Sequence, residues 1–181
     1  MEKFIYLVRH CEAEGQDSKA PLTAKGFHDS LQLVEFFKGY PIERVISSPY
    51  TRAEQTITPL AKALNKNVEL DVRLQERVLS SSNLPSWQEK LEQSFEDLDL
   101  KFDGGESSRE AMVRANSVIE EVYHSGANHI IIVSHGNLLA LVIKYFCHSF
   151  GFEQWKNMSN PDVFQLHLNN NEAKISRLWT N

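Results

Sequence analysis

Phe4-Ile5-Tyr6-Leu7-Val8 is an unbroken apolar run of β-forming residues, and it leads straight into Arg9-His10. A run of this kind reads as a strand buried on both faces. Two later segments repeat the pattern. Val45-Ile46-Ser47-Ser48 leads through Pro49 to Arg52, and Ile130-Ile131-Ile132-Val133 ends in Ser134-His135-Gly136. Buried strands that each end near an arginine or a histidine decide both the fold and the place to look for chemistry.

Helical spacing fills the intervals. Thr23 is placed to cap a helix running to about Lys38, with Phe27, Leu31 and Val34 on its inner face and Gly39-Tyr40-Pro41 as its stop. A second helix is expected from about Thr51 to Leu64, with Pro59 as a point of kinking or breakage. Val68 to Val72 reads as a strand. From Leu74 to Gly105 the pattern weakens, although Pro85 suits the first turn of a helix carrying Trp87, Leu91 and Phe95. Ser107 and Glu110 have capping-box spacing ahead of a stripe of Ala111, Met112, Ala115, Val118, Ile119 and Val122. Gly136 to about Phe146 predicts another helix. Val163–Leu168 and Ala173–Trp179, separated by the turn signal Asn169-Asn170-Asn171, predict an antiparallel pair at the sheet edge.

Strands alternating with helices imply an α/β fold: a three-layer sandwich with a mostly parallel central sheet, helices on both faces and one antiparallel edge strand. Residues 1–181 read as a single domain with a short lid or insert at about 77–104.

Bulk composition narrows the function. Of 181 residues, 41% are hydrophobic and 24% charged, an ordinary globular balance. The formal charge is 19 − 24 = −5. An acidic chain is poorly suited to nucleic acid, whose binding rests on Lys and Arg neutralising phosphates. An anion site must therefore be a local cluster of cations. Two cysteines, Cys11 and Cys147, make no disulfide scaffold, and no apolar run is long enough for a signal peptide or a membrane span. These features lead to the expectation of a cytoplasmic protein with no membrane and no nucleic-acid partner. They set no oligomeric state.

In open α/β sheets, ligands sit beyond the carboxyl ends of the strands. Arg9, His10, Arg52 and His135 are thus expected to converge on a dianion. The arginines offer fork geometry to phosphate oxygens, and the helix starts after Pro49 and Gly136 offer backbone N–H groups. A neutral imidazole is a nucleophile towards phosphorus, and nearby arginines disfavour its protonation. Glu76, just past the third strand, is the candidate proton donor to a leaving oxygen.

The motifs resemble the histidine phosphatase superfamily, also called the phosphoglycerate mutase-like family. They are Leu7-Val8-Arg9-His10-Cys11, Leu22-Thr23-Ala24-Lys25-Gly26, the complete Ser47-Ser48-Pro49-Tyr50-Thr51-Arg52-Ala53-Glu54-Gln55-Thr56, Leu74-Gln75-Glu76-Arg77, Gly105-Glu106-Ser107, and Val133-Ser134-His135-Gly136. They stand in family order. The resemblance implies that His10 carries the phosphoryl group, that Arg9, Arg52 and His135 hold its oxygens, and that Glu76 is general acid and then base. It implies a contact of Arg77 at the substrate rim, a small phosphorylated substrate, and neither a metal nor an organic cofactor. Three positions depart from the pattern. Cys11 replaces glycine, which is expected either to crowd the turn or to make the site sensitive to oxidation. Ala13 stands in place of Ser or Thr. Gln16 stands in place of Asn and is expected to donate to phosphate through its amide.

Within the family, the short, acidic segment between Glu76 and Gly105 favours phosphomonoester hydrolysis over cofactor-dependent phosphoglycerate mutase-type transfer. A non-catalytic module binding phospho-ligands is the alternative from another class, and it has no need of Glu76. A Cys-dependent phosphatase is set aside, because Asp17 stands where its arginine belongs, and Cys11 reads instead as a small buried side chain. His124 and His129 lack partners at zinc-ligand spacing. Trp87, Trp155 and Trp179 read as packing residues.

Overall fold

The computed structural model of the protein describes residues 2–170 and 172–179. Six strands form one sheet: β1 (Glu2–Arg9), β2 (Arg44–Ser47), β3 (Val68–Leu70), β4 (His129–Ser134), β5 (Asp162–Asn169) and β6 (Glu172–Arg177). Their order across the sheet is β3-β2-β4-β1-β5-β6. The first four are mutually parallel, β5 runs antiparallel to β1, and β6 runs antiparallel to β5. The reversed strand is therefore β5, one place in from the edge, and β6 at the edge runs with β1. The expected strand pair is present. Of its predicted turn, Asn171 lies outside the described residues.

The apolar runs have a two-sided explanation. Ile5 and Leu7 of β1, Ile46 of β2, and Ile130 and Ile132 of β4 face a core shared with α3 (Trp87–Glu96), α4 (Ser108–Tyr123) and α5 (Gly136–Phe146). Tyr6, Val8, Val45, Ile131 and Val133 face the other way, onto α1 (Ala24–Phe36) and α2 (Thr51–Ala63). Alternate residues on a strand point to opposite faces, so covering both faces removes any polar alternation. Full burial of each such side chain contributes on the order of 1.5–3 kcal/mol.

Several expectations need correction. On α1 the buried residues are Gly26, Ser30 and Leu33, while Phe27 and Leu31 are exposed at 56% and 44%. Gly26 is packed so closely on the Glu12 carbonyl that a Cβ would overlap it, and Ser30 turns its hydroxyl back to the Phe27 carbonyl. A small residue thus sets the face of α1 that approaches the loop after His10, while Leu33 and Val34 pack into the core on that side. α2 runs through Pro59 unbroken. β3 stops at Leu70, and Val72–Leu74 tightens into a 3-10 turn capped by Asp71. A short helix, α6 (Phe152–Lys156), lies in a stretch with no predicted element.

Candidate active site

The parallel ladder continues past the strand ends and brings the motifs side by side. His10 N–H donates to the Ser134 carbonyl at 3.0 Å, and Ser48 N–H donates to the Val133 carbonyl at 2.9 Å. The residues following β1, β2 and β4 therefore leave the sheet together.

The segment from Ser47 to Thr56 then works as a clamp. Arg52 opens α2, is only 1% exposed, and donates from Nε to Nε2 of His10 at 3.2 Å. Its Nη1 donates to the carbonyls of Gln16 and Asp17 at 3.2 and 2.8 Å, which fixes the loop after His10. Thr56 Oγ1 accepts from Cys11 N–H at 2.9 Å, and Gln55 Oε1 accepts from Leu22 N–H at 2.9 Å. Leu22 pairs across the loop with Ala13 as an isolated bridge. Thr23 caps α1 while its hydroxyl donates to the Glu12 carboxylate at 2.9 Å. Arg52, Gln55, Thr56 and Thr23 thus each brace the loop that follows His10.

His10 is held in one tautomer. Nδ1 lies 2.6 Å from the Cys11 carbonyl, an acceptor only, so Nδ1 carries the proton. Nε2, which accepts from Arg52, is then the nitrogen with the lone pair. Burial, opposed in part by the Cys11 carbonyl and reinforced by Arg52 and Arg9, holds the imidazole pKa down to about 3. The ring is neutral at physiological pH. Asn160 adds a bond from its amide to the His10 carbonyl at 2.8 Å.

His135 is fully buried and lies 5.1 Å from His10, centroid to centroid. Its Nε2 is 2.8 Å from Ser48 Oγ, and its Nδ1 meets no partner among the described residues. Burial, His10 and the arginines hold its pKa well below the usual value. Tyr50 packs its ring edge-on to His135 at 4.9 Å and lies under the Arg52 guanidinium.

Arg9 donates from Nη1 to the Met158 carbonyl at 2.9 Å, while its buried Nε has no partner among the described residues. It lies against Gly136, where a Cβ would stand 3.0 Å from the guanidinium carbon. Glu76 accepts from the N–H groups of Arg77, Asn137 and Leu138 at 2.8, 3.2 and 3.0 Å, which seats its carboxylate at the start of α5. Burial raises its pKa, against the opposing pull of those three N–H groups and of Arg9.

A cleft of about 710 Å³ carries Arg9, Gln16, Glu76, Arg77 and Asn160 on its walls. An adjoining lobe of about 420 Å³ carries Arg52 and again Gln16, Glu76 and Arg77. A larger depression of about 990 Å³ across α4 and α5 contains none of these residues, and the chemistry, not the volume, marks the site.

Arg77 and Gln16 both line the cleft, and each also has a bond within the protein. Arg77 is 5% exposed, and its guanidinium is committed to Ser94 Oγ, Ser108 Oγ and the Glu106 carbonyl. Burial lowers its pKa to about 10. Gln16 is exposed, and its backbone carbonyl accepts from Arg52. Cys11 is fully buried in the core on the α1/α2 side, and burial pushes its thiol up to about 12, so it is not a reactive thiolate. The sequence reading missed Met158 and Asn160, which support Arg9 and His10 from the far end of the chain; the turn dipeptide Asn160-Pro161 was the available signal. Among the described residues no helix is long and apolar enough to cross a membrane, and no three His, Cys, Asp or Glu residues gather into a metal-binding group.

The family model for the histidine phosphatase superfamily (branch 1) matches residues 5–181. The probable phosphoglycerate mutase GpmB of Shigella dysenteriae serotype 1 (strain Sd197) is 31% identical over 156 residues, covering 77% of this chain and 72% of that protein. Among solved structures, a mycobacterial hydrolase superposes with a TM-score of 0.80 at 19% identity, over 99% of this chain and 98% of the other. A mycobacterial glucosyl-3-phosphoglycerate phosphatase superposes with a TM-score of 0.78 at 19% identity, over 98% and 97%.

Proposed function

The chain belongs to the histidine phosphatase superfamily, and from that premise we propose that it hydrolyses small phosphomonoesters through a phosphohistidine on His10. The observation that carries the reading is the tautomer of His10: Nδ1–H is tied to a carbonyl, and the Nε2 lone pair is held by a buried arginine. A residue that merely bound phosphate would be better served as a donor on that side.

In the proposed reaction, Nε2 attacks phosphorus and the ester P–O bond breaks. Glu76 gives its proton to the leaving oxygen, releasing the alcohol. Arg9 and Arg52 stabilise charge gathered on the phosphoryl oxygens. Ser48 Oγ already accepts from Tyr50 N–H; as donor to Nε2 of His135 it leaves that ring's proton on the unpartnered Nδ1, ready for a phosphoryl oxygen. Glu76, now a carboxylate, takes a proton from water whose oxygen attacks phosphorus. The N–P bond breaks, phosphate leaves, and both residues are restored.

Arg77 acts in this scheme by fixing the strand of chain that carries Glu76, and Gln16 by lining the entrance. Residues 77–104 serve as the outer wall of the cleft. Hydrolysis of p-nitrophenyl phosphate without added metal tests the proposal, and His10→Ala is expected to abolish it. Equal inertness of both proteins across a panel of phosphate esters would favour the binding module. The mutase reading draws on the name of the Shigella relative. Interconversion of 3-phosphoglycerate, stimulated by 2,3-bisphosphoglycerate and faster than hydrolysis, would replace the phosphatase reading.

A further inference from the structure

The outer cleft is walled by aromatic and aliphatic side chains that the phosphoryl chemistry does not use. Trp87 is 49% exposed at the start of α3 and borders both lobes. Trp155 of α6 meets it edge to face at 6.3 Å and 86°, and is itself stacked on Phe152 at 5.3 Å. Leu79, Leu91 and Met158 continue the larger lobe. Beyond Arg9 and Arg77, its described lining includes one cation, the exposed Lys156.

This wall suits one kind of alcohol. A small polyanion such as a phosphoglycerate needs cations for its carboxylate, and Arg77 is committed to the protein. A half-exposed tryptophan bordering a cleft is instead a surface for a ligand, since its large rigid face buries area at little entropic cost. The near-perpendicular approach of Trp155 makes no parallel-walled slot between the two rings, and the exposed half of Trp87 is the surface left for a ligand ring. We infer, resting on the phosphatase reading above, that the substrate is a phosphomonoester whose alcohol carries a flat, uncharged aromatic ring, stacked on Trp87 beside Trp155.

Three esters with similar primary-alcohol leaving groups test this: ethyl, 2-cyclohexylethyl and 2-phenylethyl phosphate. In the native protein kcat/KM for the phenylethyl ester should exceed that for the ethyl ester by about tenfold, and that for the cyclohexylethyl ester by about threefold. Trp87→Ala should lower the phenylethyl-to-ethyl ratio about fivefold or more, and Trp87→Phe should restore most of it. The half-exposed position lets both variants fold. A native ratio near one, a ratio that Trp87→Ala leaves intact, equal rates for the cyclohexyl and phenyl esters, or faster hydrolysis of 3-phosphoglycerate than of all three would each overturn the inference. Turnover of p-nitrophenyl phosphate with a ratio near one sinks the inference alone. Inertness towards p-nitrophenyl phosphate and all these esters sinks the phosphatase reading and the inference with it.

Discussion

Arg52 and Arg77 are both buried arginines, and both belong to motifs that point to phosphate chemistry, yet they do different work. Arg52 spends Nε on Nε2 of His10 and Nη1 on two loop carbonyls. Arg77 spends its donors on Ser94 of α3, Ser108 of α4 and the Glu106 carbonyl. The first arginine fixes the His10 ring and the loop after it, while the second staples the segment that walls the cleft to the rest of the protein. Variants in the phosphoryl pocket should therefore change rate with little change in stability. Variants in the staple should do the reverse.

The largest effect belongs to the pocket. His10→Ala should cost at least about 10⁴-fold in kcat, since in the proposed reaction the nucleophile and the general acid act as a unit. Rapid quenching with radiolabelled substrate should trap phosphoprotein in the native enzyme and none in the variant. Retained labelling would place the nucleophile elsewhere.

Glu76→Gln comes next, with kcat expected to fall about 10²–10⁴-fold. The sign of its pH dependence follows from burial. Burial raises its pKa above the usual carboxylate range, and the first step of the proposed reaction needs the acid form, so the native rate should fall as pH rises through that raised pKa. His10, neutral down to about 3, adds no competing acidic limb in the working range. The alkaline fall should vanish in Glu76→Gln. If it persists at full size, another group supplies the proton.

Arg77→Ala moves the comparison to the other region. It leaves two hydroxyls and a carbonyl without their buried partner, a loss of about 3 kcal/mol by urea unfolding. Proteolysis should reach residues 79–100 faster. Stability equal to the native protein would mean that Arg77 is not a staple, and a contact with substrate would return as its main role.

These two regions also differ in how much of them the sequence disclosed. The ends of α5 are legible in the sequence, because an apolar run after a strand end is a local signal. His10, Arg52 and His135 could be grouped from their positions after strands, and the structure puts them in contact. The inner face of α1 was misread because apolar content pointed to Phe27 and Leu31, whereas the buried face holds Gly26, packed on the Glu12 carbonyl, together with Ser30 and Leu33. Arg77 gave no sign of its partners, which lie 17 and 31 residues away. Trp87 was read as packing, since no local pattern says whether an aromatic residue faces a core or a cleft. Long-range contacts of single residues fall outside what periodicity records.

Gly136→Ala gives the finest test of the contrast. The backbone there is ordinary helix, so alanine costs nothing in φ and ψ and slightly favours α5. The added Cβ would stand 3.0 Å from both the guanidinium carbon and Nε of Arg9, and 3.1 Å from Nη2. The arginine must yield by a few tenths of an ångström, although its bond to the Met158 carbonyl resists that movement. Such a displacement should lower kcat/KM by about three- to tenfold, with thermal stability unchanged or slightly raised. A fall in rate without a fall in stability is the signature of a pocket whose charges are positioned. Unchanged kcat/KM would show that Arg9 has room to adjust, and that the tight placement is confined to His10 and Arg52.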